Sequence, residues 1–357
     1  MVYCSFAIFI SAYSGYKDRS TTKTLSMSNC NKLGIALVGL GKYSEHQLAP
    51  ALWQTEHCYL AGIVTGTPGK IDKWKKEYHI PEQNIYSYET FDTIKGNPDI
   101  DIVYIVLPNS LHAEYVIRAA KAGKHVICEK PMATSIEDCD RMIAACKDAG
   151  VMLSIGYRLH FEPYNLEMVR MASQGTYGRL NKIVAKFGLE EVEGWRLDKC
   201  LAGGGPLMDV GIYCVQAARY VTGMEPIAVT AQEGTNAQPG MFNGIEQSLH
   251  WQMEFPGGII ADCEASYSED MSVLHVDADK GWFELSPAYD YEGIKGKASD
   301  GQMDFPEVCQ QALQMDDFAL AITQQRSTPV PGEMGKQDLK ILMAIYDAMH
   351  SGKRITL

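Results

Sequence analysis

The apolar positions of this chain fall into two regimes. From Gly34, "GIALVGLG" is a nearly unbroken apolar run that ends in glycines, the pattern of a parallel strand buried on both faces. Leu48 to Trp53 then reads as a helix, residues 59–64 ("YLAGIV") as a strand, and Ile71 to Tyr78 as a helix. Residues 101–108 ("DIVYIVLP") form another buried strand, and Ser110 is placed to cap the helix "LHAEYVIRAAKAG", which stops at Gly123. The strand "HVIC" follows, then a helix opened by a capping-box pair, Thr134 and Glu137, and a last strand at 151–156. Strands alternating with helices at this spacing predict right-handed βαβ units: a Rossmann-type, doubly wound parallel sheet over residues 31–152.

Beyond about residue 160 the period shortens to two. "LNKIVAKFGLE", "SLHWQMEF", "GGIIADCEASYS" and "SVLHVDADKGWFEL" alternate apolar and polar residues, which predicts an open, mostly antiparallel sheet with one covered face. One helix interrupts it near Pro206, and a late helix runs from about Met334 to Met349. Residues 153–357 therefore read as an α+β domain for substrate and oligomerisation, its free sheet face suited to a homodimer or homotetramer contact. Residues 1–30 read as an N-terminal extension. "SFAIFISAYSG" has no basic residue before it and is too short to span a bilayer, and no twin-arginine signature is present. A cytoplasmic protein without membrane association is expected, with a weak export signal or a true start at Met27 as the alternatives.

Composition narrows the chemistry. A chain of 357 residues accommodates two domains, and 46% hydrophobic with 21% charged residues is ordinary for a globular protein. The formal charge of -12 argues against nucleic acid, because phosphate-tracking surfaces need clustered Lys and Arg. The ten cysteines show no C-x-x-C, and there is no H-E-x-x-H, so neither a metal site nor a disulfide framework is expected. Cys139 and Cys146, seven apart, read as one buried stripe of a helix.

Gly39-Leu40-Gly41-Lys42-Tyr43-Ser44 is G-x-G-x-x-S between a predicted strand and helix. Glycines there let the chain turn tightly and bring a helix amino terminus to a pyrophosphate, and Ser44 is small enough to replace the usual third glycine. The second strand of such folds ordinarily ends in an acid that holds the adenosine ribose of NAD. Here Thr65 and Gly66 stand at that place, followed by Lys70, a set that welcomes a 2′-phosphate; NADP is expected in preference to NAD. Leu107, Pro108, Asn109 and His112 leave the next strand at the carboxyl edge, where ligands bind, although His112 could equally be a simple capping histidine. Glu129 and Lys130 emerge at the same edge, and Pro131 holds Lys130 out of helical geometry, aiming it into the cleft.

A partner for this lysine is found in "LAGGGPLMDVGIYCVQAARY", where Asp209 and Tyr213, four apart, share one helical face. Oxidising an alcohol carbon requires an acceptor for the hydroxyl proton. A phenol, with an ordinary pKa near 10, is a poor base unless a neighbouring cation favours its phenolate, and Lys130 supplies such a cation. Read alone, the segment could equally be a buried tyrosine and a helix-start aspartate.

With "GLGKYS", "VYIVLPNSLHAEYVIRAAKAGKHVICEKPMATS", "GYRLHFEPYN", "WRL" and "GGGPLMDVGIYCVQAARYVTGMEP" in view, the chain from about residue 32 onward resembles the glucose–fructose oxidoreductase/inositol dehydrogenase (Gfo/Idh/MocA) family, above all its glucose–fructose oxidoreductase members. The resemblance implies Lys130 and Tyr213 as catalytic lysine and tyrosine and Asp209 as the active-site aspartate. It places the chain in a tyrosine-bearing branch that includes xylose and dimeric dihydrodiol dehydrogenases. It further implies cofactor contacts for Arg158, Trp195 and Arg196, a substrate contact for Tyr267, and a frequently cis Lys130–Pro131 bond. The periplasmic leader and cofactor-retaining arm of the oxidoreductase have no clear counterpart. The expectation is an NADP-dependent oxidoreductase acting on a sugar or polyol. A freely exchanging xylose- or dihydrodiol-type dehydrogenase is the alternative, and a catalytically silent NADP-binding sensor a third reading.

Overall fold

The computed structural model describes residues 32–235, 240–242 and 244–357; the expected extension over residues 1–30 lies outside them. Six strands make the first sheet: β1 (Leu33–Val38), β2 (Cys58–Val64), β3 (Ile85–Tyr86), β4 (Ile102–Ile105), β5 (His125–Cys128) and β6 (Leu153–Ile155). Every pairing is parallel, in the order β3-β2-β1-β4-β5-β6. The helices between them are α1 (Ala49–Leu52), α2 (Pro68–Tyr78), α3 (His112–Lys121) and α4 (Ile136–Ala149). The predicted doubly wound sheet is present, and its strand order reverses between β1 and β4, where such folds open a crevice.

Register then fixes the site. Tyr86, Val64, Val38, Ile105, Cys128 and Ile155 pair across the sheet in one row, so the strands end at one level. The residues that follow them, among them Gly39, Thr65, Leu107, Glu129 and Lys130, must therefore line a common edge.

After α5 (Pro163–Ser173) the chain enters β7 (Leu180–Gly188), then α6 (Lys199–Ala202), α7 (Ile212–Thr222), β8 (Ala228–Glu233), β9 (Ser248–Glu254), β10 (Ile260–Ser266), β11 (Met271–Ala278), β12 (Gly281–Leu285), β13 (Gly296–Ala298) and β14 (Gly301–Gln302). The chain closes with α8 (Gln310–Thr323), α9 (Gly332–Ser351) and β15 (Ile355–Thr356). The second sheet runs β14-β13-β12-β11-β7-β10-β9-β8-β15, antiparallel except between β7 and β10. It is open and mostly antiparallel, as its alternation predicts, and α7 packs on one face.

Several local expectations are corrected. Ser110 lies within a 3-10 turn, Asn109–Leu111, and α3 has no side-chain cap. The cap of α4 is one residue later than predicted: the Asp138 N–H donates to Ser135 Oγ at 3.1 Å, and that hydroxyl donates to the Asp138 carboxylate at 2.8 Å. The helix after the glycine loop begins earlier, as a π-helical turn over Ser44–Leu48. "SVLHVDADKGWFEL" is two strands, β11 and β12, paired through a tight turn. α5 and α8 were not anticipated. Although α8 comes late in the chain, it covers the first sheet, its Met315 and Phe318 sharing a core with Ile35, Leu37, Tyr104 and Ile127.

α9 is tied to α7 by one buried acid. Asp338 is fully buried and accepts from the Tyr157 hydroxyl at 2.5 Å, from the Gln216 amide and from the Arg219 guanidinium. Asp338→Ala strands those three donors, so urea unfolding should show a loss of about 3 kcal/mol, the scale for breaking a buried ion pair. A loss below about 1 kcal/mol would mean that water or the remaining donors absorb the change.

Candidate active site

The glycine loop is shaped to receive something close to its backbone. Gly39 has φ 94°, and a Cβ on it would lie 2.5 Å from the Val106 carbonyl oxygen, so no other residue fits. A Cβ on Gly41, by contrast, would meet no atom within 4 Å. Ser44 is buried and donates its hydroxyl to the Gly39 carbonyl at 2.6 Å, which locks the turn from beneath. Lys70 reaches back from α2 and donates to the Leu40 carbonyl at 2.5 Å. Thr65, at the end of β2, accepts the Thr67 N–H at 3.1 Å, and no acid stands between it and Lys70. Lys42 leans across to Glu193, with both side chains mostly exposed (84% and 77%), and the Tyr43 ring lies 5.8 Å from that of Tyr291. A positive-φ glycine, an open backbone face and a following helix suit the pyrophosphate of a dinucleotide.

Two of the residues expected at the cofactor have partners within the chain. His112 is fully buried, and its ring nitrogens lie 2.8 Å from the Leu107 carbonyl and 3.0 Å from the Pro131 carbonyl. Both edges of the ring are occupied, and burial holds its pKa below the ordinary value. The neutral ring carries one N–H and donates to one of these two carbonyls, so it lies between the loops that follow β4 and β5. Asn109 is likewise buried, and its amide donates to the Ala202 carbonyl at 2.8 Å, binding α6 to the edge. Leu107 is buried beneath the edge, and Pro108 is part-exposed beside it.

Lys130, Asp209 and Tyr213 meet. The Lys130–Pro131 peptide is cis. Lys130 Nζ donates to the Asp209 carbonyl at 2.6 Å, lies 3.2 Å from Asp209 Oδ1, and sits 4.8 Å above the centroid of the Tyr213 ring. Asp209 Oδ2 accepts from Arg196 Nε at 2.7 Å and from the Tyr267 hydroxyl at 3.1 Å. Burial alone would raise the Asp209 pKa, but the Lys130 and Arg196 cations outweigh it and hold the carboxyl well below its usual range. For Lys130 burial pulls the other way, and Tyr213, Asp209 and Glu129 more than offset it, so the ammonium stays charged. Glu129 accepts from the Tyr104 hydroxyl at 2.8 Å, and burial raises its pKa.

Arg196 and Trp195 share the 3-10 turn Gly194–Leu197, the guanidinium 5.1 Å from the indole centroid. Arg196 thus engages the carboxylate of Asp209, and Tyr267, expected beside substrate, turns its hydroxyl inward onto the same group. Arg158 is internal as well. Only 2% exposed, it donates to the Asp290 carbonyl at 3.0 Å, to the Tyr289 carbonyl and to the Gln310 side chain, with its guanidinium 4.4 Å from the Tyr291 centroid and 5.3 Å from that of Tyr213. It is an internal bracket for the loop that carries Tyr291, and its buried Nε has no hydrogen-bond partner among the described residues.

Tyr291 is the site residue that sequence reading missed. It stands exposed between Tyr43 and Arg158, and burial of its hydroxyl end pushes its pKa up to about 12. "SPAYDYEG" reads as a turn, and nothing in its spacing signals that Gln310 and Arg158 clamp its carbonyls.

Residues 33–157 match the family model "Oxidoreductase family, NAD-binding Rossmann fold", and residues 165–284 match the GFO/IDH/MocA C-terminal domain. The chain is similar to the aldose–aldose oxidoreductase of Caulobacter crescentus, whose structure holds glycerol: 42% identity, 91% of this chain and 100% of that one, TM-score 0.89. It is 27% identical to a D-xylose 1-dehydrogenase (NADP+) of Haloarcula marismortui, over 98% of this chain and 99% of the relative. A second such enzyme, from Haloferax volcanii, is 26% identical over 91% and 98%.

The Asp209 ion pairs have a pH signature. A carboxyl whose folded pKa is depressed stabilises the fold fully above its unfolded pKa, about 4, and loses that contribution as pH falls below it. Between pH 6 and pH 3 the wild type should therefore lose roughly 1 kcal/mol more unfolding free energy than Asp209→Asn. Parallel acid titrations of the two, followed by urea unfolding, check this, and an equal loss in both would contradict the assignment.

Proposed function

The chain belongs to the Gfo/Idh/MocA oxidoreductase family, and from that premise we propose that it transfers hydride between NADP and a carbinol carbon of an aldose or related polyol. The observation that carries the reading is the meeting of Lys130, from the strand-end edge of one sheet, with Asp209 and Tyr213, from the helix packed on the other. The printed names of the relatives, which concern aldoses and xylose, supply the substrate class.

When bound, the nicotinamide accepts or returns the hydride. The residues of this chain do the remaining work. In the oxidative direction the substrate O–H bond breaks as its proton passes to the Tyr213 phenolate oxygen, while the carbon–oxygen bond becomes a carbonyl. Lys130, its Nζ 4.8 Å from the centroid of the Tyr213 ring, supplies a positive charge to the site where negative charge gathers in the transition state. Asp209 Oδ2 is spent on Arg196 and Tyr267, but Oδ1 has Lys130 as its partner and keeps a lone pair for a neighbouring sugar hydroxyl. In the reductive direction Tyr213 returns the proton.

Thr65, Gly66 and Lys70, with no acid among them, favour the 2′-phosphate of NADP. A freely exchanging dehydrogenase is the second reading. It is favoured by the ion pair that spans the glycine loop among the described residues, Lys42 with Glu193, which is too exposed to retain a cofactor. Loss of nicotinamide absorbance on gel filtration supports that reading, and co-elution supports a tightly held cofactor.

Two substitutions test the proposal in a spectrophotometric screen of aldoses and polyols with NADP. Lys130→Ala should lower kcat by about a thousandfold, the scale of a lost preorganised charge; unchanged turnover removes the lysine from the mechanism. Lys70→Ala should raise KM for NADP by about tenfold, worth ~1.4 kcal/mol, and leave KM for NAD unmoved. Equal effects on both would remove the 2′-phosphate assignment.

A further inference from the structure

Glu246 is 4% exposed and belongs to none of the contacts described so far. It reaches, from the segment between β8 and β9, the start of the helical stretch that carries Asp209 and Tyr213. Its Oε2 accepts the Gly205 N–H at 3.0 Å and its Oε1 the Leu207 N–H at 3.1 Å, while the Tyr346 hydroxyl of α9 donates to Oε1 at 2.8 Å. All three partners are donors, the arrangement an ionised carboxylate requires. The fit leaves no slack. A Cβ on Gly205 would lie 2.4 Å from the Glu246 carbonyl oxygen and 2.9 Å from its carboxyl carbon.

What this carboxylate holds is the point at which the catalytic helix begins. Leu207 opens a π-helical turn, Leu207–Gly211, that contains Asp209, and α7 continues from Ile212, so Tyr213 lies in its first turn. Two amide protons pinned by one carboxylate fix both the position and the rotation of that turn. Tyr267, whose hydroxyl lies on Asp209, feels the Glu246 charge as well, so the two carboxylates belong to one buried cluster.

We propose that Glu246 is a positioning residue of the hydride-transfer site, setting where Asp209 and Tyr213 meet Lys130. The proposal rests on the functional reading above. Tyr213 is faced by Lys130, Arg158, Tyr43, Tyr289 and Tyr291, and Glu246 by Tyr346 and Tyr267. Glu246 therefore acts on the phenol through the helix and not by contact. A displacement of about an ångström at such a site costs on the order of a hundredfold in rate.

The test uses the full chain with NADP and the aldose that the wild type oxidises fastest. Glu246→Gln turns an amide NH2 against a backbone N–H, so the turn backs away and takes the phenol from the Lys130 cation. The expected result is a kcat lower by about ten- to a hundredfold with an unchanged Kd for NADP. An unchanged kcat in a folded variant overturns the proposal, as does a weakening of NADP binding equal to the loss of kcat. Tyr346→Phe, which leaves the carboxylate in place without its hydroxyl donor, should lower kcat by less and likewise leave the Kd for NADP unmoved. Should Glu246→Gln fail to fold, Tyr346→Phe decides alone, and an unmoved kcat overturns the idea. A wild type that turns over no aldose removes the functional reading first and this inference with it.

Discussion

The arrangement depends on one electrostatic requirement: the Lys130 ammonium, lifted out of water at the end of β5, must be given a counter-charge by the other half of the chain. A buried ion that loses its partner costs several kcal/mol, so Lys130 and Asp209 bring the strand edge and the helix of the second sheet together. Asp209 supplies both its carboxylate and its backbone carbonyl to the same nitrogen, which fixes the lysine in direction as well as in place. The same carboxylate also balances Arg196. One anion thus faces two cations, and the surplus positive charge lies beside the Tyr213 ring, where a reacting oxygen would gain negative character.

A second constraint makes the two halves one body. α8 buries its polar side as well as its apolar one, with Gln310, Gln311 and Gln314 each at most 3% exposed. Gln314 donates to the Tyr104 hydroxyl, which in turn holds Glu129. Gln311 donates to Gln47, on the π-helical turn that follows the glycine loop. Gln310 holds the carbonyls of Asp290 and Tyr291 and meets Arg158. Three amides in the first five residues of one helix therefore brace the cofactor loop, the residue before Lys130, and the aromatic wall. Buried amides are stabilising only when fully paired, and these three have partners.

This helix also shows why part of the structure was illegible in the sequence. The parallel strands announced themselves because strands buried on both faces need unbroken apolar runs, and glycines mark where they turn. "CQQALQMDDFALAIT" offers no such contrast: glutamines and aspartates stand on the face that is buried, so the apolar period that betrays a helix is hidden. At the site, Lys130 was legible from a proline that forbids continuation of the helix, and Asp209 and Tyr213 from their spacing. Which groups turn inward was not. His112, Asn109, Arg158 and Tyr267 are polar residues near a ligand edge, and only the tertiary fold shows which backbone and side-chain groups they meet, and that the Arg158 Nε is left without a partner among the described residues. Glu246 is a single acid in an unpatterned segment, and its partners are amides 39 and 41 positions away.

These networks are unevenly distributed, and the unevenness bears on mechanism. The helix bearing Asp209 and Tyr213 is fixed at its start by Glu246 and farther along by Asp338, which grips Gln216 and Arg219; both acids are at most 4% exposed. The glycine loop facing it keeps Gly41 open and is bridged on its outer side by the exposed pair of Lys42 and Glu193. Buried hydrogen-bonded charges resist displacement, whereas an exposed ion pair is worth at most about 1 kcal/mol and weakens with salt. The helix bearing Asp209 and Tyr213 is therefore preorganised, as electrostatic catalysis requires. The side that must admit a dinucleotide is held only as tightly as a binding surface can be if its occupant is to leave.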